Sequence, residues 1–219
     1  PPSYVAEGGT VFNGNTAPGA ETRQDDNEGS PKVRCNSFDK TVDKRNHEVN
    51  AVIGGLAPSL YDQEGRFAAI LLANIVGGPA SNSKLNDLLR EKNGWVYGVE
   101  TSYTQYSDTG VMAISMGCDR SNLEKCMKGV DKVISKLQDE LLSDSAMRAA
   151  KKQLLGQLAI SSDNGETQCL AMGKSLISFG DVSTDLQNRE AIEAVSAERI
   201  QESARKIFNP ETLSSLIFL

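Results

Sequence analysis

Apolar positions recur along this chain at two spacings, and each spacing marks out its own elements. Val49, Ala51 and Ile53 alternate with Asn50, Val52 and Gly54, which predicts a strand stopping at Gly54-Gly55. After Pro58 and Ser59 the period lengthens. Phe67, Ile70, Leu71, Asn74 and Ile75 form the stripe of a helix that Gly77-Gly78-Pro79 ends. A second helix is expected over Ser83 to Lys92, with Leu85, Leu88 and Leu89 on one face and Asn93-Gly94 closing it. The period then returns to two. Tyr97, Val99, Thr101 and Tyr103 share one side of a strand, and Val111 to Cys118 alternates as the next. Ser107-Asp108-Thr109-Gly110 between them predicts an antiparallel hairpin.

Helical spacing dominates the rest. Ser121-Asn122-Leu123-Glu124 fits a capping box ahead of the stripe Leu123, Met127, Val130, Ile134, Leu137 and Leu141. Ser143-Asp144 caps a helix carrying Met147, Ala150, Leu154 and Leu158. Further helices are expected over Glu166 to Ser178, Thr184 to Val195, and from Ser196 to about Phe208, where Asn209-Pro210 breaks the pattern. Leu213 to Leu219 closes the chain as a strand. Helices segregated beside a hairpin and its neighbouring strands predict an α+β fold: an antiparallel sheet with helices packed on one side. Residues 1–45 show no sustained period and are rich in Gly, Asn, Asp, Thr and Pro, so they read as a linker or N-terminal extension. The domain proper is expected at 46–219.

Charge narrows the partners. The net charge is -6, from 29 acids against 23 bases, which argues against nucleic acid and gives no support to an anionic membrane surface. No apolar run approaches the length that spans a bilayer. The opening Pro1-Pro2 reads as a cut point inside a longer protein. Cys35, Cys118, Cys126 and Cys169 are widely spaced, with no C-x-x-C pair. They read as free thiols in or near the core, which favours a reducing, cytoplasmic compartment.

The chemistry a lone chain would need is largely missing. His47 is the single histidine, too few for a hydrolytic zinc site with two histidines on one helix face. No G-x-S-x-G elbow accompanies it, and His47 reads as a residue at a strand entrance. The pairs Gly54-Gly55 and Gly77-Gly78 fit no phosphate loop. By itself the chain is therefore expected to bind no metal or cofactor and to be inactive.

The densest information runs from Gly65 to Cys118. A helix ends in Gly77-Gly78 and is followed by Ser81-Asn82-Ser83-Lys84-Leu85, then Leu89-Arg90-Glu91-Lys92, Gly94, Tyr97 and a hairpin containing Asp108-x-Gly110. This order resembles the C-terminal, non-catalytic domain of the M16 (pitrilysin, or insulinase-like) zinc peptidases, with the shorter bacterial-type members most alike. The likeness extends over about 48–219. Lys84 stands where the family often has arginine, and Glu48-Val49-Asn50 where Gln-x-His is frequent. The inverted zinc motif H-x-x-E-H is absent; in the family it belongs to an N-terminal domain that this chain does not contain.

The resemblance implies roles for Arg90 and Tyr97. In the family an arginine and a tyrosine seven residues apart reach toward the zinc-bearing half, the arginine gripping a substrate carbonyl and the tyrosine donating toward the developing oxyanion. Read from the residues alone, Arg90 is a helix-end cation and Tyr97 a strand aromatic. Trp95 lines an inter-domain surface or packs at the strand entrance, while Tyr103 and Tyr106 are candidates to flank a peptide groove. The implied partners are a zinc-bearing N-terminal domain, a peptide substrate and a second copy in a homodimer. The alternative is a structural or peptide-binding subunit of the same family without catalysis.

Overall fold

The computed structural model describes residues 37–219, and in them the period-two segments become one five-stranded sheet. Its strands are β1 (Asp39–Val42), β2 (Val49–Ala57), β3 (Val96–Gln105), β4 (Gly110–Cys118) and β5 (Ser214–Phe218), in the order β1-β5-β2-β4-β3. The helices are α1 (Gln63–Gly77), a π-helix (Asn86–Glu91), α2 (Leu123–Asp139), α3 (Asp144–Ser162), α4 (Gly165–Phe179), α5 (Asp185–Glu193) and α6 (Ala197–Ile207).

The alternation in β2 sets the two faces of the sheet. Val49, Ala51 and Ile53 are buried, as are Met112, Ile114 and Met116 of β4 beside them. They meet Leu71, Leu72 and Val76 of α1 and Ile200, Ala204 and Ile207 of α6 in one core. Burying each of the larger aliphatic side chains contributes about 1.5–3 kcal/mol. Gly55 is required where β2 passes beneath α6, because a Cβ there would collide with the backbone carbonyl of Ile207. The other face carries Asn50, Val52, Glu100, Ser102 and Val111, all exposed, and no helix among the described residues covers it.

The expected α+β arrangement is present, and within it the sheet is mixed, because β1 runs parallel to β5. No short turn joins these two strands, so nothing in the local chain dictates an antiparallel pairing. β1 also lies inside the 1–45 stretch read as linker, so the folded unit starts before residue 46. It is four residues long and mostly exposed, too short to leave a period in the sequence. The part of the linker reading before residue 37, and Cys35 with it, lies outside the described residues.

Caps differ in detail from expectation. Ser143 accepts from the Ala146 amide and Ser196 from the Arg199 amide, as their positions suggest. The box expected at Ser121 and Glu124 does not form. A turn in which the Asn122 amide donates to the Asp119 carbonyl delays the helix, Asn122 becomes its N-cap, and Glu124 pairs with Lys128 instead. A reciprocal capping box is present at Thr184 and Gln187 of α5. Cys118 and Cys126 are buried thiols, whereas Cys169 on α4 is exposed, which corrects for it the expectation of a thiol in or near the core. Among the described residues no helix is long and apolar enough to cross a membrane.

Candidate functional site

The segment carrying Arg90 departs from an ordinary helix. Leu85 and Leu89 are fully buried and fix one side of it against the core. The Lys92 amide reaches back five residues to the Asp87 carbonyl, so the turn is widened into a π-helix where the pattern predicts α. Gly94 then adopts φ 61°, the left-handed conformation that glycine accepts without penalty. This brings the Gly94 amide onto the Arg90 carbonyl and the Trp95 amide onto the Leu89 carbonyl, closing the helix. Arg90 itself is exposed, and its guanidinium has no ion-pair or hydrogen-bond partner among the described residues.

Tyr97 is placed by an irregularity in the sheet. Val96 stands opposite Cys118, yet Gly98 already stands opposite Gly117, so Tyr97 is the extra residue of a β-bulge. Regular alternation would put Tyr97 in the same row as Val99, Thr101 and Tyr103, which face the helices. The bulge turns it out instead, and it is 61% exposed. Its hydroxyl donates to Asp119 Oδ1 at 2.6 Å, just past the end of β4. That bond, and then the carboxylate's charge, raise the Tyr97 phenol above its ordinary value.

A cleft of about 510 Å³ opens between the uncovered sheet face and the turn around the β3 edge. Asn50, Gly98, Glu100 and Gly117 line it from the sheet, and Gly77 to Pro79, Asn86 and Arg90 from the other side. Gly77 is needed at this edge. A Cβ there would clash with Thr101 Oγ1 and come within 2.9 Å of the Thr101 amide nitrogen. Thr101 Oγ1 is sealed from solvent and has no hydrogen-bond partner among the described residues. Charge in the cleft is mixed, with Glu48 and Glu100 on the sheet side and Arg90 as its cation.

The structure therefore brings Arg90 into the cleft but not Tyr97, whose neighbour Gly98 lines it instead. Tyr103 is not a groove residue. It points to the helix side and donates its hydroxyl to the Pro58 carbonyl at 2.6 Å, with burial pushing the phenol up to about 12. Tyr106 stays exposed beside the hairpin turn. Trp95 packs against the core at the strand entrance, with Lys125 over its ring. Two residues escaped the sequence reading. Asp119 follows β4 directly and is reachable only through the bulge, while Asn86 lies one helical turn before Arg90, a spacing that signals a shared face.

Among the described residues no three of His, Cys, Asp and Glu gather, and His47 is exposed just before β2.

Comparison with known proteins agrees with this architecture. The family model described as the peptidase M16 inactive domain matches residues 14–154. An uncharacterized zinc protease of Rickettsia felis is 29% identical over 182 residues, which cover 83% of this chain and 43% of that protein. One from Bacillus subtilis is 25% identical, over 68% of this chain and 36% of its own length. The crystal structure of a Helicobacter pylori protease superposes with a TM-score of 0.76 at 14% identity, covering 86% of this chain and 45% of that one. A peptidase M16 inactive domain from Pseudomonas fluorescens superposes at 0.73 with 17% identity, over 86% of this chain and 46% of that one. The chain spans less than half the length of the curated relatives it matches.

Proposed function

Because the chain belongs to the peptidase M16 family, matching its inactive-domain model, we propose that it is the C-terminal half of a zinc metallopeptidase. In that family the inactive domain is the partner of an N-terminal catalytic domain, and the zinc belongs to the catalytic half. This chain would close a peptide-binding chamber with its uncovered sheet face and supply Arg90 and Tyr97 to the reacting peptide. The carrying observation is an exposed guanidinium in the cleft, without a partner among the described residues, together with a phenol that a bulge turns outward next to Gly98 of the cleft. Neither arrangement adds much to the stability of this domain, and both suit contact with something outside it.

The chemistry assigned to the two residues is ordinary. A peptide carbonyl under attack gathers negative charge on oxygen, and a donor fixed beforehand stabilises that charge more than the ground state. Tyr97 would donate its hydroxyl proton into such a hydrogen bond, and Arg90 would hold a neighbouring substrate carbonyl. To do so the Tyr97 hydroxyl must exchange Asp119 for the oxyanion as its acceptor.

The test is substitution in the complete enzyme, with the zinc-bearing half present. Tyr97→Phe should lower turnover by about 10² to 10³, mostly in kcat. Arg90→Ala should cost about 1.5–3 kcal/mol and raise KM as well. Zinc content should be unchanged in both. Near-normal turnover in both variants returns Arg90 to a surface cation and Tyr97 to a strand aromatic.

A non-catalytic subunit, structural or peptide-binding, is the second reading, and the engagement of the Tyr97 hydroxyl by Asp119 favours it. Complex III of Candida albicans contains a chain of this fold, superposing at a TM-score of 0.69 with 15% identity. An intact H-x-x-E-H in the other half supports the peptidase, and its loss supports the subunit.

A further inference from the structure

We infer that Asn86 is a second peptide-binding residue of this cleft, whose side-chain carbonyl accepts a backbone N–H of the bound peptide. The inference rests on the reading of the cleft as a peptide site. Asn86 lines the cleft together with Arg90, four residues later on the same π-helix. It is only 7% exposed, so its polar atoms need partners.

Its amide nitrogen has them. Nδ2 donates to the Gly78 carbonyl at 3.1 Å and to Ser83 Oγ at 2.8 Å, which uses both of its hydrogens. These bonds also settle which way the amide faces, because turning it over would press Oδ1 against the Gly78 carbonyl, acceptor against acceptor. Oδ1 receives no hydrogen bond from any described residue. It is not sealed either, since Thr101 Oγ1 alone among the described side chains is both solvent-free and unpartnered. What Asn86 presents to the cleft is thus a lone acceptor on a nine-tenths buried side chain.

A donor and an acceptor one helical turn apart are what an extended peptide requires. Each residue of a strand shows its N–H and its C=O to the same side, and a neighbouring strand normally answers both. Arg90 answers the carbonyl and Asn86 the amide. The pair would read the backbone and leave the peptide's side chains free of selection at this point.

A scan of backbone-ester substrates tests this in the complete enzyme. Each substrate replaces one amide N–H by an ester oxygen, removing a donor and leaving the side chains in place. One position should lower kcat/KM by about two- to tenfold in the wild type, the value of one neutral hydrogen bond. In Asn86→Leu the same ester should carry no penalty, while in Arg90→Ala it should persist. Should Asn86→Leu fail to fold, the smaller Asn86→Ala, which also removes Oδ1, supplies the comparison, and there too the ester should carry no penalty.

An ester scan with no sensitive position overturns the inference. So does a penalty that survives in Asn86→Leu or in Asn86→Ala. If Tyr97→Phe and Arg90→Ala slow turnover while the scan stays flat, the peptidase reading stands and Asn86 is only a brace for the turn. If those two variants are normal and the Asn86-dependent penalty is present, the cleft binds peptide backbone and the catalytic roles are wrong.

Discussion

The hydroxyl of Tyr97 donates to Asp119 Oδ1 at 2.6 Å, and the β-bulge between Val96 and Gly98 makes that meeting possible. The bond holds the phenol protonated beyond its usual range. A phenol raised in the folded state contributes stability that is whole below its ordinary value of 10.0 and is lost as the pH rises through the folded value. Asp119→Asn removes the charge and leaves an oxygen acceptor, so the Tyr97 titration should fall back toward the ordinary value. Carbon NMR of ring-labelled tyrosine, with Tyr97→Phe identifying the resonance, measures it. A Tyr97 titration that Asp119→Asn leaves in place would show that the carboxylate is not its acceptor in solution.

The orphaned hydroxyl at Thr101 predicts a stabilising substitution. Thr101→Val keeps the branched shape and removes a sealed oxygen with no partner among the described residues. Relief of that desolvation should raise the unfolding free energy by about 1 kcal/mol. Chemical denaturation with an unchanged m-value is the measurement, and a loss of stability would mean that Thr101 Oγ1 is satisfied in solution.

Gly77→Ala should do the opposite. Its Cβ has no space between Thr101 Oγ1 and the Thr101 amide, so the β3 edge must shift at a cost of about 1–3 kcal/mol. Combining it with Thr101→Ala removes one of the two obstructions. The double variant should therefore be less destabilised than the sum of the two singles, by more than additivity allows for independent sites. Strict additivity would place the collision elsewhere.

The thiols should separate by reactivity. Burial pushes Cys118 up to about 12 and raises Cys126, while Cys169 is exposed on α4. In a Cys35→Ser background at neutral pH, a thiol reagent should label Cys169 quickly and the other two only as fast as the domain opens. Peptide mapping of the labelled protein tells them apart, and equal labelling of Cys118 and Cys169 contradicts the packing around β4.

Zinc should not be retained by this chain. His47 is its single histidine, and the donors a metal would need are not gathered among the described residues. Metal analysis after a chelator wash should find no stoichiometric zinc. One equivalent that disappears in His47→Ala would reverse the expectation.

Much of this fold was legible because its periods are clean. Val49-Ala51-Ile53 and Met112-Ile114-Met116 announce a sheet with one buried face, and the sheet has it. What escaped depends on single residues that break a period. Tyr97 shares a parity with Val99, and only a bulge, which leaves no mark in an alternating run, separates them. The π-turn at Asn86–Glu91 keeps its leucines at helical spacing while shifting what lies between them. β1 escaped because its partner is at the far end of the chain. Arg90 and Tyr97 are legible through likeness to a family, Asp119 only through the fold that carries it 22 residues to Tyr97, and Asn86 only through the burial that leaves its carbonyl without a partner among the described residues.

β5 is made of the last residues of the chain, yet it is not an edge of the sheet, for it fills the slot between β1 and β2. The Ser215 amide donates to the Phe38 carbonyl and the Leu219 amide to the Val42 carbonyl, so the first described strand is held in place by the last. On the ribosome, β1 and β2 must wait with an unfilled gap between them until β5 has left the exit tunnel. Through that interval two strand edges stand open to any passing chain. Removing 214–219 would make the interval permanent. Emergence of β5 is therefore the point at which this sheet stops being a template for aggregation.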